Sequence, residues 1–112
     1  MKSIIIGAGS DLGVHIDGSS LGPVQLINDI KSFYKGDTIT IMQEEDILKS
    51  RNLSDRRKNE YEVDEINTKI YNTICEKEKE NYFPIVIGGD SSITIPTALA
   101  SSKTYVNIGI LF

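Results

Sequence analysis

Short apolar runs alternate with longer amphipathic stretches along the chain. The first run, Lys2 to Gly7, is rich in isoleucine and is closed by glycines, which predicts a buried strand. Thr38 to Met42 alternates apolar and polar residues and predicts a second strand. Phe83 to Ile87 is continuously apolar, as in a strand covered on both faces, and Val106 to Phe112 predicts a fourth strand.

Between these strands lie segments whose apolar residues recur at helical spacing. Pro23 is typical of a first helical turn, and Gly36 marks the expected end of that helix. The helix has one apolar face, made of Val24, Ile27, Ile30 and Tyr34. A long helix is predicted over about Val63–Glu80, and its charged tail, residues 76–80, is expected to face solvent.

A last helix is predicted after the third strand. Ser92 is its expected N-cap, its end is expected near Ser102, and Pro96 falls in or just past its first turn. Strands that alternate with helices indicate the α/β class. We therefore expect a parallel sheet with helices on both faces.

Composition narrows the possible functions. The chain has 112 residues, enough for one domain, and its net charge of −4 gives no electrostatic reason to bind nucleic acid or anionic lipid. No stretch approaches the roughly 20 apolar residues of a membrane span, and no signal peptide follows Met1. Cys75 is the only cysteine, so no internal disulfide can form. These features predict a cytoplasmic protein.

Three segments follow predicted strands: Gly7–Leu21, Gln43–Glu45 and Gly88–Ser92. In open parallel sheets, ligands bind at the carboxyl ends of the strands. By itself Gly88–Ser92 needs no ligand, because two glycines allow a tight turn and Asp or Ser caps the next helix. The glycines of residues 7–13 lack the spacing of a dinucleotide-binding loop. His15, the one histidine, is interpreted as an exposed loop residue, with a place at a pocket rim as the alternative.

Three landmarks, in order, resemble one enzyme family. Residues 83–93 read Phe-Pro-Ile-Val-Ile-Gly-Gly-Asp-Ser-Ser-Ile. They resemble the strand-to-helix turn of arginases, agmatinases and formiminoglutamases, whose pattern is Pro, apolar residues, then Gly-Gly-Asp-His-Ser. Residues 18–23 resemble the family's glycine-rich loop and its Gly-Pro helix start. Residues 106–112 resemble the strand that leads into its Asp-Ala-His-x-Asp motif, so the resemblance covers essentially the whole chain.

The resemblance, which is closest to arginase, implies the N-terminal part of an arginase-like three-layer fold, as one incomplete domain over residues 1–112. It implies a parent enzyme in which two Mn²⁺ ions bridge a water that attacks a guanidino or amidino carbon. The substrate of such a parent is an arginine-like small molecule, with arginine to ornithine and urea as the favoured reaction.

Two residues of this chain fall on the implied metal site. Ser91 occupies the position of the family's His ligand, and Asp90 matches a position to which we assign a supporting role beside the metal. A serine hydroxyl is a poor ligand compared with imidazole, and the chain ends at Phe112, before Asp-Ala-His-x-Asp could begin. We therefore expect a truncated protein that has no cofactor and no activity as this chain alone.

Other functions stay open. The chain could be a non-catalytic fragment that binds intact subunits of its relatives, or a truncated gene product without function. Gly89-Asp90-Ser91 before a helix also resembles the nucleophile block of GDSL-type esterases, with Ser91 as nucleophile. Those enzymes need a downstream Asp and His, and no histidine follows Ser92.

The resemblance also implies a strand order. The first three strands lie together at one edge in the order 2-1-3, and two late strands separate the third from the fourth. Without those late strands, Phe83–Ile87 exposes an apolar edge that pairs with whatever is available. We therefore expect one of three outcomes: the fourth strand pairs beside the third in the order 2-1-3-4, the chain self-associates, or it is only partly folded.

Overall fold

The computed structural model describes residues 1–10, 18, 21–42 and 60–109. These residues form the strands β1 (Lys2–Gly9), β2 (Asp37–Met42) and β3 (Tyr82–Gly88). They also form the helices α1 (Gly22–Ile30), α2 (Glu60–Lys79) and α3 (Thr94–Thr104). A short 3₁₀ turn, Ser91–Ile93, leads into α3. No helix in the described ranges is both long and apolar enough to cross a bilayer.

The three strands form a parallel sheet in the order β2-β1-β3. β1 is central, so that Ile5 lies opposite Thr38 on one side and Ile85 on the other. The expected α/β class and the expected order 2-1-3 are both confirmed. β1 also runs two residues further than predicted, to Gly9.

Helices cover both faces of β1. On one face, α2 and α3 enclose the core, which consists of Ile4, Ile6, Ala8, Ile66, Ile70, Ile74 and Ala100, each at most 2% exposed. On the other face α1 crosses the strand at Gly7, where an added Cβ would lie 2.9 Å from Cδ1 of Ile27 and 3.2 Å from Cβ of Pro23. Gly7 therefore lets α1 pack directly on the sheet.

The first helix is shorter than its apolar pattern predicts. It ends at Ile30, and the backbone N–H groups of Phe33 and Tyr34 both bond the Ile30 carbonyl. The Tyr34 hydroxyl reaches back to β1, with its oxygen 3.1 Å from Ser3 Oγ. A Cβ at Gly36 would overlap the Tyr34 ring. The prediction of Gly36 as helix end was wrong, because Gly36 makes room for this tyrosine.

The charged tail of α2 is only partly solvated. Glu78 continues the buried stripe of Ile70 and Ile74 at four-residue spacing and is 6% exposed. Its Oε1 accepts a hydrogen bond of 2.9 Å from the Ser101 hydroxyl of α3. The expectation that residues 76–80 are all solvated was therefore wrong at Glu78, which joins the two helices.

The predicted fourth strand does not form where it is described. Residues 105–109 contain no strand, and residues 110–112 lie outside the described ranges. The order 2-1-3-4 is thus not observed over Val106–Gly109, and β3 is an edge strand of the described sheet. Phe83 is 56% and Ile85 41% exposed. The expected apolar exposure along β3 is confirmed.

Candidate functional site

The candidate site is the turn Gly88–Ser92, which is joined to the carboxyl end of β1. The backbone N–H of Gly89 donates to the Ala8 carbonyl at 3.0 Å, and that of Asp90 donates to the Ser10 carbonyl at 2.9 Å. Ser10 itself is fully buried. The parallel strands β1 and β3 therefore end at one place, and their connecting hydrogen bonds fix the turn.

Close approach to the backbone requires glycine at position 89, whereas the contact at Gly88 is with the end of the Ile93 side chain, which can move. A Cβ on Gly89 would overlap the backbone carbonyl oxygen of Ser10, and a Cβ on Gly88 would overlap the end of the Ile93 side chain. Among the described glycines only Gly18 has a positive φ, of 123°. Gly89 thus allows the turn to lie against β1, without a left-handed backbone.

Asp90 caps the turn that follows it. Its Oδ1 accepts a hydrogen bond of 2.8 Å from the backbone N–H of Ser92 and a second bond from the Ser92 hydroxyl. Its own backbone is extended, as an N-cap requires. The prediction that Ser92 is the N-cap was wrong, because Ser92 lies inside the 3₁₀ turn and donates to the cap. Pro96 lies in the first turn of α3, as predicted.

Ser91 is exposed at the start of the 3₁₀ turn. Its backbone carbonyl accepts from the N–H of Thr94, which leaves the neutral hydroxyl as the chemical group it presents. Within residues 1–10, 18, 21–42 and 60–109, no three His, Cys, Asp or Glu side chains come together as metal ligands. The assignment of Ser91 and Asp90 to a former metal site stays a prediction.

Two other predicted segments add little to the described site. His15 and residues 43–45 lie outside the described ranges, as does most of Gly7–Leu21. Among the described residues, the first helix after β1 is α1, which begins at Gly22.

The shifted pKa values lie away from the turn. The Asp37 carboxylate accepts a hydrogen bond of 2.6 Å from the Tyr82 hydroxyl and raises the pKa of Tyr82. Both residues lie at the amino ends of their strands, opposite the candidate site. On α2, a hydrogen bond with Cys75 raises the pKa of Tyr71. These contacts support the fold and give the turn no acid or base.

Sequence patterns missed two residues that hold the turn. Ser10 supplies the carbonyl that receives Asp90, and a serine after a strand gives no signal of this role. Asn67 of α2 donates from Nδ2 to the Ser92 carbonyl at 3.4 Å. For Asn67 the sequence offers one hint of this role: it is a polar residue that directly follows the apolar Ile66 on an amphipathic helix.

Comparisons with known proteins agree on one relationship. The family model described as Arginase family matches residues 1–112. An arginase of Staphylococcus aureus strain MSSA476 is 31% identical over 119 residues, covering 96% of this chain and 38% of that protein. The arginase of strain MRSA252 gives the same identity and coverage over 120 residues.

A solved structure gives the same result in three dimensions. The crystal structure of arginase from Bacillus subtilis matches with a TM-score of 0.68 and 25% identity, covering 97% of this chain and 36% of that one. The chain therefore spans about 38% of the length of the curated relatives it matches.

Proposed function

The chain belongs to the arginase family, and from that premise we propose that it supplies the first three strands of a ureohydrolase catalytic domain. The parent reaction is hydrolysis of a guanidino or amidino C–N bond, with arginine to ornithine and urea favoured because the similar proteins are named arginases. We propose further that these 112 residues do not carry out that reaction alone. The observation that carries the proposal is the turn Gly88–Ser92, which presents Ser91 at the end of β3.

The described residues of the chain do not fit two Mn²⁺ ions. Such ions take carboxylate and imidazole ligands that converge on one point. Here the matching position offers only the Ser91 hydroxyl, and the neighbouring Asp90 carboxylate already accepts two hydrogen bonds from Ser92. The described part of the chain assembles no group of three candidate ligands. Any metal-dependent step therefore needs ligands that these residues do not supply.

Three further proposals concern the substrate, the location and the self-association of the protein. We propose an arginine-like substrate for the parent domain and a cytoplasmic location, which rests on Cys75 as a free, single cysteine. We also propose self-association through the open side of β3, where Phe83 and Ile85 are exposed. No comparison supports the GDSL-type esterase or the subunit-binding fragment.

Calorimetric titration of the protein with Mn²⁺ at neutral pH tests the metal proposal. We expect no tight site in the unaltered chain and none in the Ser91→His variant, because one imidazole does not complete a site. Asp90→Asn removes the carboxylate of the candidate site, and Asp64→Asn, which removes an exposed carboxylate on α2, is the control for adventitious binding. Micromolar binding at a defined stoichiometry in the unaltered chain, lost in Asp90→Asn, would contradict the proposal.

A further inference from the structure

The carbonyl oxygen of Ser92 cannot take the bond that an α-helix would give it. In a helix this oxygen accepts from the N–H four residues later, which here belongs to Pro96. Proline has no N–H, so this donor is missing. The side-chain amide of Asn67, which comes from α2, donates to the Ser92 carbonyl instead, at 3.4 Å.

Asparagine at position 67 destabilises the fold unless its bond to Ser92 offsets the burial of its side-chain oxygen. Its Oδ1 is buried and has no hydrogen-bond partner among the described residues. Burying an amide oxygen without a partner is unfavourable, and an apolar side chain between α2 and α3 would avoid the cost. The Nδ2 donor to Ser92 is the contact that offsets this cost. Because the distance is long, we expect its contribution to lie near the lower end of the usual range.

We propose that Asn67 is a positioning residue for the turn that presents Ser91. It holds Ser92, the next residue, against α2 and supplies the donor that Pro96 lacks. The bonds from Gly89 and Asp90 hold the other side of the turn against β1. The turn is thus fixed from the sheet and from the helix layer. The functional importance of Ser91 rests on the proposed function, but the hydrogen bond between Asn67 and Ser92 can be tested without metal or substrate.

Amide hydrogen exchange of Asn67→Ala, followed by NMR, tests the contact. A matched control is Asn72→Ala, because Asn72 is an exposed asparagine on the same helix. We expect Asn67→Ala to speed exchange at Ile93 and the other amides of the 3₁₀ turn by roughly twofold, the ratio that corresponds to about 0.5 kcal/mol. The amides of Ile70 should be unchanged. We expect Asn72→Ala to leave both regions unchanged.

A double-mutant cycle separates positioning from general support. Pro96→Ala restores an N–H four residues after Ser92, so Asn67→Ala should lose most of its effect in that background. The isosteric variant Asn67→Asp removes the donor while keeping the shape, and the Ser92 carbonyl carbon should shift in its NMR spectrum. An equal effect of Asn67→Ala with and without Pro96→Ala would overturn the proposal. Uniform acceleration across α2, or an unmoved Ser92 carbonyl in Asn67→Asp, would do so as well.

Discussion

The exposed face of β3 makes a testable prediction about association. The register places Phe83 and Ile85 opposite Ser3 and Ile5, on the face that α1 covers mainly at β1. Phe83 is 56% exposed, and Ile85 is 41% exposed. Parallel sheets are normally covered on both faces, and an open apolar edge strand favours pairing with another chain. We therefore expect the protein to self-associate through this side of β3.

The size of the effect follows from the exposed area. Burying an aromatic side chain removes about 150–250 Å² from water, so the exposed part of Phe83 is on the order of 100 Å². At about 25 cal/mol per Å², covering it contributes about 2–3 kcal/mol per chain. Phe83→Lys forfeits this contribution and adds a charge beside the edge. We expect it to weaken association by at least roughly tenfold, the ratio for about 1.4 kcal/mol.

Sedimentation velocity over a wide concentration range measures this association. Phe33→Lys is the matched control, because Phe33 is 73% exposed but lies in the turn after α1, away from the strand. The control should associate like the unaltered chain. Association through β3 is refuted if both variants behave alike, or if the unaltered chain stays monomeric at every concentration.

Two further predictions concern the turn and the amino end of the sheet. Gly89→Ala forces a Cβ into the Ser10 carbonyl and should lower the free energy of unfolding by about 2–4 kcal/mol, as measured by urea denaturation. Gly22→Ala is the control, because its added Cβ meets nothing within 4 Å, and it should leave the free energy of unfolding unchanged. Asp37 raises the pKa of Tyr82 above its unfolded value of about 10, so the contribution of their bond is complete below that pH and lost as pH rises through the higher pKa. Tyr82→Phe should therefore flatten the loss of stability as pH rises above about 10, and identical pH profiles would contradict this cause.

The spacing of apolar residues was enough to predict the buried face of α2. Ile66, Ile70 and Ile74 repeat at helical spacing, and all three are buried against β1 as that pattern indicates. The same pattern could not reveal the burial of Glu78, whose hydrogen-bond partner, the Ser101 hydroxyl, lies on another helix. Such a partner is distant in sequence, and local patterns carry no information about it.

For the turn, too, the sequence predicted the local structure but not the contacts made with distant residues. Its glycines and Asp90 mark a strand-to-helix turn in the sequence, and the structure confirms the turn at Gly88–Ser92. The reason for Gly89 could not be predicted, since it depends on the approach of Ser10 from β1. The assignment of the cap to Ser92 failed because Asp and Ser are nearly equivalent N-caps, and only the start of the 3₁₀ turn decides between them.

Urea release from arginine by paired grafts tests whether Ser91 stands at the position of a metal-binding histidine in a ureohydrolase domain. The 112 residues, with Ser91 or with Ser91→His, are joined to the remaining C-terminal part of the Staphylococcus aureus arginase. Loss of a residue that merely orients a metal ligand costs about 10–100-fold, and loss of a ligand should cost no less. We expect no urea from the isolated chain with either residue, and we expect the graft carrying Ser91→His to release urea at least roughly tenfold faster than the Ser91 graft. Urea release by the isolated chain, or equal activity of the two grafts, would contradict this expectation.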